Sequence, residues 1–281
     1  MKLLSRLLRE YLLAVQFFTR IPITGRLARW VGFSPELLRA SAAHFPGVGL
    51  IVGVVAAASY ALLQAVLPES ILTPLVSAVL STAVTVLLTG GFHEDGLADL
   101  ADGLGGSSDR ERALEIMRDS RIGAFGAMAL GLALLGKVAL LALLGSVEGA
   151  PLEWEQAPFN GWYVGAVLCA AHVVSRGLPL LLIYLLPHVD GGAASKSKPL
   201  AEQISTGSLM LAFSWCVAVL AALSSVLEVT DLLLACSFAL LALLWMGRMF
   251  KRRLQGFTGD CLGATQQICE IAFYLGMAVS L

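Results

Sequence analysis

Eight of the twenty carboxylates in this 281-residue chain fall in one segment, residues 91–123, which reads GFHEDGLADLADGLGGSSDRERALEIMRDSRIG. Asp95, Asp99 and Asp102 are spaced i, i+4, i+7. On a helix that spacing sets them on one ridge, within ~60° of arc and ~10 Å of rise. Three carboxylates so close repel one another unless a cation lies between them. Hard oxygen ligands with no accompanying Cys point to Mg²⁺ or Mn²⁺ and away from zinc. The alternative is a solvated acidic first turn at a helix N-terminus, where Asp is favoured electrostatically. Against it stands the position of the ridge, which begins directly where an apolar run ends. His93 and Glu94 adjoin the ridge but point to other faces of the helix.

Four further features carry charge or loop chemistry. Ser108-Asp109-Arg110-Glu111 reads as a capping box opening a short helix to about Met117. Arg118-Asp119-Ser120-Arg121-Ile122-Gly123 suits phosphate, because guanidinium groups pair with phosphate oxygens in a fork; anchoring of a helix end at the membrane is the equal alternative. Lys137 and Arg176 lie inside apolar runs, a costly placement that by default marks function. Read together they suit an anion site, against the alternative of pairing with a carboxylate to hold the bundle. Leu254 to Ala264 is a Gly-punctuated loop containing Thr258, Asp260 and Gly259. It either lets backbone approach a ligand, with Asp260 joining the ridge, or is an ordinary turn with Asp260 as helix N-cap. Glu270 is a further charge in the last apolar run. His44, His172 and His188 have no partner at metal-ligand spacing and read as structural. No Gly-x-Ser-x-Gly, Walker loop or zinc signature is present.

The elements that must position these groups are set by hydropathy. The chain is 57% apolar and 14% charged, against ~45–50% and ~25% in soluble domains, and its mean hydropathy is +0.80. That excludes a water-soluble enzyme and a disordered chain. A net charge of −1 excludes a nucleic-acid partner. Five Cys, an odd number and most of them inside apolar runs, do not form a disulfide framework. Runs near 45–67, 71–90, 124–147, 161–186, 208–227, 232–247 and 264–281 each approach the ~20 residues a span needs. The fold class is therefore all-α: a polytopic membrane bundle of about seven transmembrane helices in a single integral domain, 1–281.

An amphipathic helix over residues 3–18 precedes the spans, with Leu3, Leu4, Leu7, Leu8, Tyr11, Leu12, Val15 and Phe18 on one face. It suits the membrane interface or packing on the bundle. Lys and Arg number seven before residue 40, four in 91–123, two in 187–207 and four in 248–260, while 68–70, 148–160 and 228–231 have none. The positive-inside rule then predicts a basic cytoplasmic or interfacial region, 1–40, and an acidic cytoplasmic catalytic loop, 91–123. Gly47, Gly49 and Gly53 allow close helix contact, and Pro179 should kink or break the fourth span.

At several stretches the chain resembles the cobalamin synthase (adenosylcobinamide-GDP ribazoletransferase) family. They are Phe17-Phe18-Thr19-Arg20-Ile21-Pro22; Phe45-Pro46 with Gly49 and Gly53; Thr89-Gly90-Gly91-Phe92-His93-Glu94-Asp95-Gly96-Leu97-Ala98-Asp99 on to Asp102-Gly103; Glu115 to Gly123; Lys137; Ser175-Arg176; and Gly259-Asp260 with Gly263-Ala264. The resemblance implies a multi-pass enzyme of a prokaryotic cytoplasmic (inner) membrane. It implies Mg²⁺-dependent joining of adenosylcobinamide-GDP with α-ribazole or its 5′-phosphate and release of GMP. Mapped onto this chain, Asp95, Asp99, Asp102 and Asp260 are the catalytic candidates, and Asp95, Asp99, Asp102 and Glu94 the Mg²⁺ candidates. Arg20, His93, Arg118, Asp119, Ser120, Arg121, Lys137, Arg176 and Thr258 are the substrate-binding candidates. The implied partners are those two substrates and the lipid bilayer, and a homo-oligomer is compatible with them. Two rivals remain. A CDP-alcohol phosphotransferase would carry Asp-Gly-x-x-Ala-Arg, whereas here Asp95-Gly96-Leu97-Ala98 runs into Asp99 with no Arg. An ion-coupled transporter would use the intramembrane charges and the Arg176–Pro179 break.

Overall fold

In lipid a backbone has no water to bond, so apolar runs of ~20 residues satisfy their own N–H and C=O groups by becoming helices. The computed structural model describes residues 2–148, 161–189 and 204–281, and all its regular elements there are helical. The acid-only connection 148–160 (save its first residue's backbone) and the loop lysines Lys196 and Lys198 lie outside the described residues. In chain order the helices are α1 (Lys2–Phe18), α2 (Gly25–Val31), α3 (Pro35–Ser41), α4 (Phe45–Val66), α5 (Thr73–Thr89), α6 (Phe92–Gly106) and α7 (Arg110–Ile116). They are followed by α8 (Ala124–Glu148), α9 (Trp162–Gly177), α10 (Leu180–Leu185), α11 (Thr206–Leu223), α12 (Val229–Arg253) and α13 (Gly259–Val279).

Five stretches are long and apolar enough to cross a membrane: 35–66, 124–147, 162–185, 206–223 and 229–253. The pair α5 and α6, bent by 90°, makes a sixth if taken as one span. Seven were expected from hydropathy. The difference lies at α13, which has the length to span but carries Thr265, Gln266, Gln267 and Glu270, all buried. Its polarity is hidden because α6, α8, α9 and α12 surround it. The apolar exterior belongs instead to α8, α11 and α12, where Leu132, Leu135, Met210, Val217, Leu233 and Leu241 are each more than 60% exposed. So much contiguous apolar surface is a lipid-facing belt. This is a multi-pass membrane helix bundle.

The central pair α4 and α9 meets through glycine. A β-carbon at Gly53 would lie 2.7 Å from the Cα of Cys169, and one at Gly49 would collide with the carbonyl oxygen of His172. The Gly-x-x-x-Gly pair therefore does what its spacing suggests. Pro179 separates α9 from α10, as its missing N–H requires. In α1 both readings of the amphipathic helix find a part. Leu13, Ala14, Val15 and Phe18 are buried against the bundle, with Phe18 4.1 Å from Phe45 between ring centroids. Leu3 and Leu4, at the other end, are about 70% exposed.

Two ties bring the acidic segment and the loop before α13 together. Arg253 Nη2 donates to the carbonyls of Leu104 and Ser107, and Arg110 Nε donates to that of Leu254. Backbone bonds Val189 N to Phe257 O and Phe257 N to Pro187 O then fix the loop's other flank.

If the α4–α9 contact is set by missing side chains, Gly53→Leu should destabilise the detergent-solubilised protein by about 1–3 kcal/mol through overpacking. Gly136→Ala, on α8 with open space around it, should hold or slightly raise the thermal midpoint, since Ala is the better helix former. Thermal unfolding of the two variants checks this.

Candidate active site

The chain turns sharply between α5 and α6 because Gly90 and Gly91 both take φ near +71°, a left-handed conformation that costs glycine little. At that bend lies a cleft of about 640 Å³ lined by Gln16, Thr19, Arg20, Glu94, Asp95, Asp99 and Ser120, among others. Arg20 reaches it because its backbone N–H is tied to the carbonyl of Leu88, and its guanidinium lies over Gly90. Among the described residues the side chains of Arg20, Asp95 and Asp99 make no hydrogen bond or ion pair, so all three face the cleft uncommitted.

Asp260 arrives from the opposite side. Gly96 has no side chain, and the first turn of α13 uses that space: a β-carbon there would lie 2.9 Å from the carbonyl oxygen of Asp260. The sequence left open whether Asp260 caps α13. It does not; Thr258 is the N-cap, accepting from Cys261 N at 3.3 Å, while its hydroxyl lies 3.4 Å from Asp260 Oδ2. Asp260 then adds to the negative field at Asp99. Partial burial, with Asp95, Asp260 and Asp102 nearby, pushes the Asp99 carboxyl up to about 7.

The ridge does not act as one unit. Asp102 is buried and turned the other way, accepting from Gly123 N at 2.7 Å and Gly126 N at 2.8 Å. It caps the N-terminus of α8, where exposed backbone donors and the helix dipole both favour a carboxylate. Helical spacing foretold the shared face, but not that a second helix would begin against its last member. Glu94 also turns inward and accepts from Gln267 Nε2 at 3.0 Å. In consequence, no three His, Cys, Asp or Glu side chains among the described residues could together hold a metal ion as placed.

The other expected substrate contacts divide. Ser120 lines the cleft, and Arg118 is exposed and has no partner among the described residues. Arg121 is held by Asp119 through both carboxylate oxygens, at 2.9 Å and 2.5 Å, and this drives the Asp119 carboxyl down to about 2. The short helix before them is capped by Asp109, which accepts from Arg112 N at 2.9 Å, and not by Ser108 as the capping-box pattern suggested. His93 is buried and stacks on Phe45, with centroids 5.8 Å apart.

Lys137 and Arg176 are not at the cleft. Lys137 Nζ lies 2.5 Å from Glu270 Oε1 in the bundle core, both side chains at most 3% exposed. Tyr274 and Gln266 also donate to Glu270, at 3.0 Å and 2.6 Å, and Gln266 bonds Ser175 and Gln267. Arg176 Nη1 donates to His172 Nδ1 at 2.9 Å. The same ring nitrogen lies 3.4 Å from Glu270 Oε2, and Arg176 Nη1 also donates to the His172 carbonyl at 3.1 Å. Arg176, Lys137, Glu270 and Glu94 balance in formal charge, leaving no excess cation there for a phosphate. His172, Ser175, Gln266, Gln267 and Tyr274 escaped the sequence reading as a network. The signal was present in Gln266 and Glu270, four residues apart inside an apolar run.

The architecture and cleft define a polytopic membrane protein with a carboxylate-rich site at one end of its bundle. Residues 10–278 match the Cobalamin-5-phosphate synthase family. The chain is 73% identical over 279 residues to the adenosylcobinamide-GDP ribazoletransferase of a Polaromonas species, covering 99% of both chains. It is 69% identical over 274 residues to that of Polaromonas naphthalenivorans, covering 98% of this chain and 99% of the relative. With that of Albidiferax ferrireducens it shares 59% identity over 292 residues, covering 99% and 100%. No solved structure matches it. The chain belongs to the cobalamin-5-phosphate synthase family and is a transferase of cobalamin biosynthesis. The transporter and CDP-alcohol readings fall with that assignment.

Asp102 and Asp95 should therefore respond differently to the same change. Asp102→Asn places an amide N–H against one of two buried backbone donors, so it should cost about 1–3 kcal/mol of stability. Asp95→Asn should leave the thermal midpoint unchanged or raise it, because it relieves like-charge repulsion. Thermal unfolding in detergent without substrate distinguishes the two.

Proposed function

We propose that the cleft joins adenosylcobinamide-GDP to α-ribazole, or to its 5′-phosphate, and releases GMP. The observation that carries this is the convergence of Asp95, Asp99 and Arg20 on one cleft at the α5–α6 bend, in a chain whose relatives carry that enzyme name. In the reaction an acceptor hydroxyl oxygen bonds to the phosphorus attached to cobinamide. The bond from that phosphorus to the bridging oxygen of the diphosphate breaks, GMP leaves with the electron pair, and the hydroxyl proton is lost.

Mg²⁺ suits the donor set even though no three side chains converge. This ion is typically held by one or two carboxylates, with substrate phosphates and water completing its shell, and Asp95 and Asp99 are two hard-oxygen donors with no competing partner. When bound, the ion neutralises diphosphate charge. Around it, Arg20 grips phosphate oxygens from the wall of the cleft, with Arg118, exposed two residues before Ser120, as the second guanidinium for them. Ser120 contacts the substrate from the segment that leads into α8. Asp260, which Thr258 contacts and which packs beside the ridge, or a ridge Asp takes the acceptor proton. The N-terminus and segments 91–123 and 248–260 face the cytoplasm of an inner membrane, following the distribution of Lys and Arg.

The direct test is GMP release from adenosylcobinamide-GDP by purified protein given α-ribazole and Mg²⁺. Asp99→Asn should lower turnover by about 10²–10³, the scale of losing one group that stabilises transition-state charge, while the protein still folds. Near-normal turnover at limiting Mg²⁺ would return the ridge to a solvated surface. Arg20→Ala should also lose activity, and Arg20→Lys should recover only part of it, because ammonium lacks the fork. For orientation, single cysteines at Ser107 and Thr230 in a cysteine-free background should label from opposite sides of the membrane.

A further inference from the structure

We propose that an apolar crevice beside the cleft seats the planar heteroaromatic ring of the acceptor, which makes it the site that selects the acceptor's base. The inference rests on the reading of the cleft given above. The crevice is narrow, about 40 Å³ and partly open to the surroundings, and its walls include Phe17, Phe18, Phe45, Phe92, His93 and Leu262. Phe17 and Phe92 also line the carboxylate cleft, so the two spaces are neighbours across these rings.

Three observations favour a flat ring over another occupant. The walls are already an aromatic stack: His93 lies parallel to Phe45 at 14°, Phe45 lies 4.1 Å from Phe18, and Phe92 stands perpendicular to His93. Ring faces and edges arranged this way accept a further ring in stacked or edge-on contact. Second, His93 is 1% exposed, and neither ring nitrogen has a hydrogen-bond partner among the described residues. Buried polar atoms in that condition are costly, and a ring nitrogen on a ligand would partner one of them, whereas a lipid tail would not. Third, Phe92 and His93 precede Asp95 and Asp99 on α6 by two to seven residues, a rise of about 3–10 Å. A base held by the first pair places the hydroxyls of its attached sugar at the second, where the acceptor oxygen must be.

The test measures KM for each substrate in Ala42→Leu, which narrows the crevice from a lining position, and in His93→Phe, which keeps the ring but removes its nitrogens. Equilibrium dialysis of α-ribazole without donor supplies a readout independent of turnover. The acceptor KM and the dialysis Kd should rise about tenfold or more in Ala42→Leu, with the donor KM unchanged. His93→Phe should weaken α-ribazole more than an indole riboside, which lacks the second ring nitrogen. Folded variants with unaltered acceptor KM and Kd would overturn the assignment, as would equal rises for both substrates. Phospholipid co-purifying with the wild type and lost from Ala42→Leu, at constant acceptor KM, would give the crevice to an acyl chain and overturn it too. If the wild type binds α-ribazole, and Ala42→Leu does not, but no GMP is released, the crevice stands and the proposed reaction falls.

Discussion

The ion pair between Lys137 and Glu270, 2.5 Å apart and shut inside the bundle, governs how the rest of the molecule is arranged. Taking either charge out of water alone would cost several kcal/mol. Each is tolerable because the other is present and because Tyr274 and Gln266 add hydrogen bonds to the same carboxylate. The bonds continue through Gln267 to Glu94 and, alongside, through Ser175. In this way α8, α9, α13 and α6 are joined by polar contacts that lipid-like packing alone would not specify. A helix as polar as α13 has only one stable place in such a protein, at the centre, and it takes it.

The cleft follows from that placement. With α13 central and α6 held to it by Gln267 and Glu94, Gly96 lets the two backbones approach until Asp260 lies beside the ridge. Asp102 is drawn off to cap α8, and Gly90-Gly91 folds α6 back across the end of α5. What remains facing the cleft is Asp95 and Asp99 with Arg20 opposite. The crowding that lifts the Asp99 carboxyl to about 7 is the field a divalent cation would relieve. Charges inside the bundle tie its helices together, and charges at its end face the cleft.

Much of this was legible in the residues. Length and hydropathy pointed to the helix bundle, Gly49 and Gly53 to the α4–α9 contact, and the crowding of Asp in 91–102 to the segment that lines the cleft. Periodicity tells which side chains share a face of one helix, but not which other helix that face meets. That is why Lys137 and Arg176 read as anion ligands when Glu270 and His172 are their neighbours. It is also why Asp102 read as a third ligand when the start of α8 lies against it. Cap assignments slipped for a more local reason. Ser108 with Asp109, and Thr258 with Asp260, each offer two capping oxygens within two residues, and the backbone path decides between them. The seventh span read from hydropathy is α13, whose polar side chains count against it only when their partners are out of view.

The division between scaffold and site is tested most directly by a double-mutant cycle on Lys137 and Glu270, reading thermal stability in detergent and GMP release per folded molecule. Lys137→Met and Glu270→Leu should each destabilise by about 3–5 kcal/mol, since each leaves a buried charge unpaired. The double variant should regain most of that loss and keep its turnover. Two stable single variants with abolished turnover would contradict the account, and would return Lys137 to the substrate.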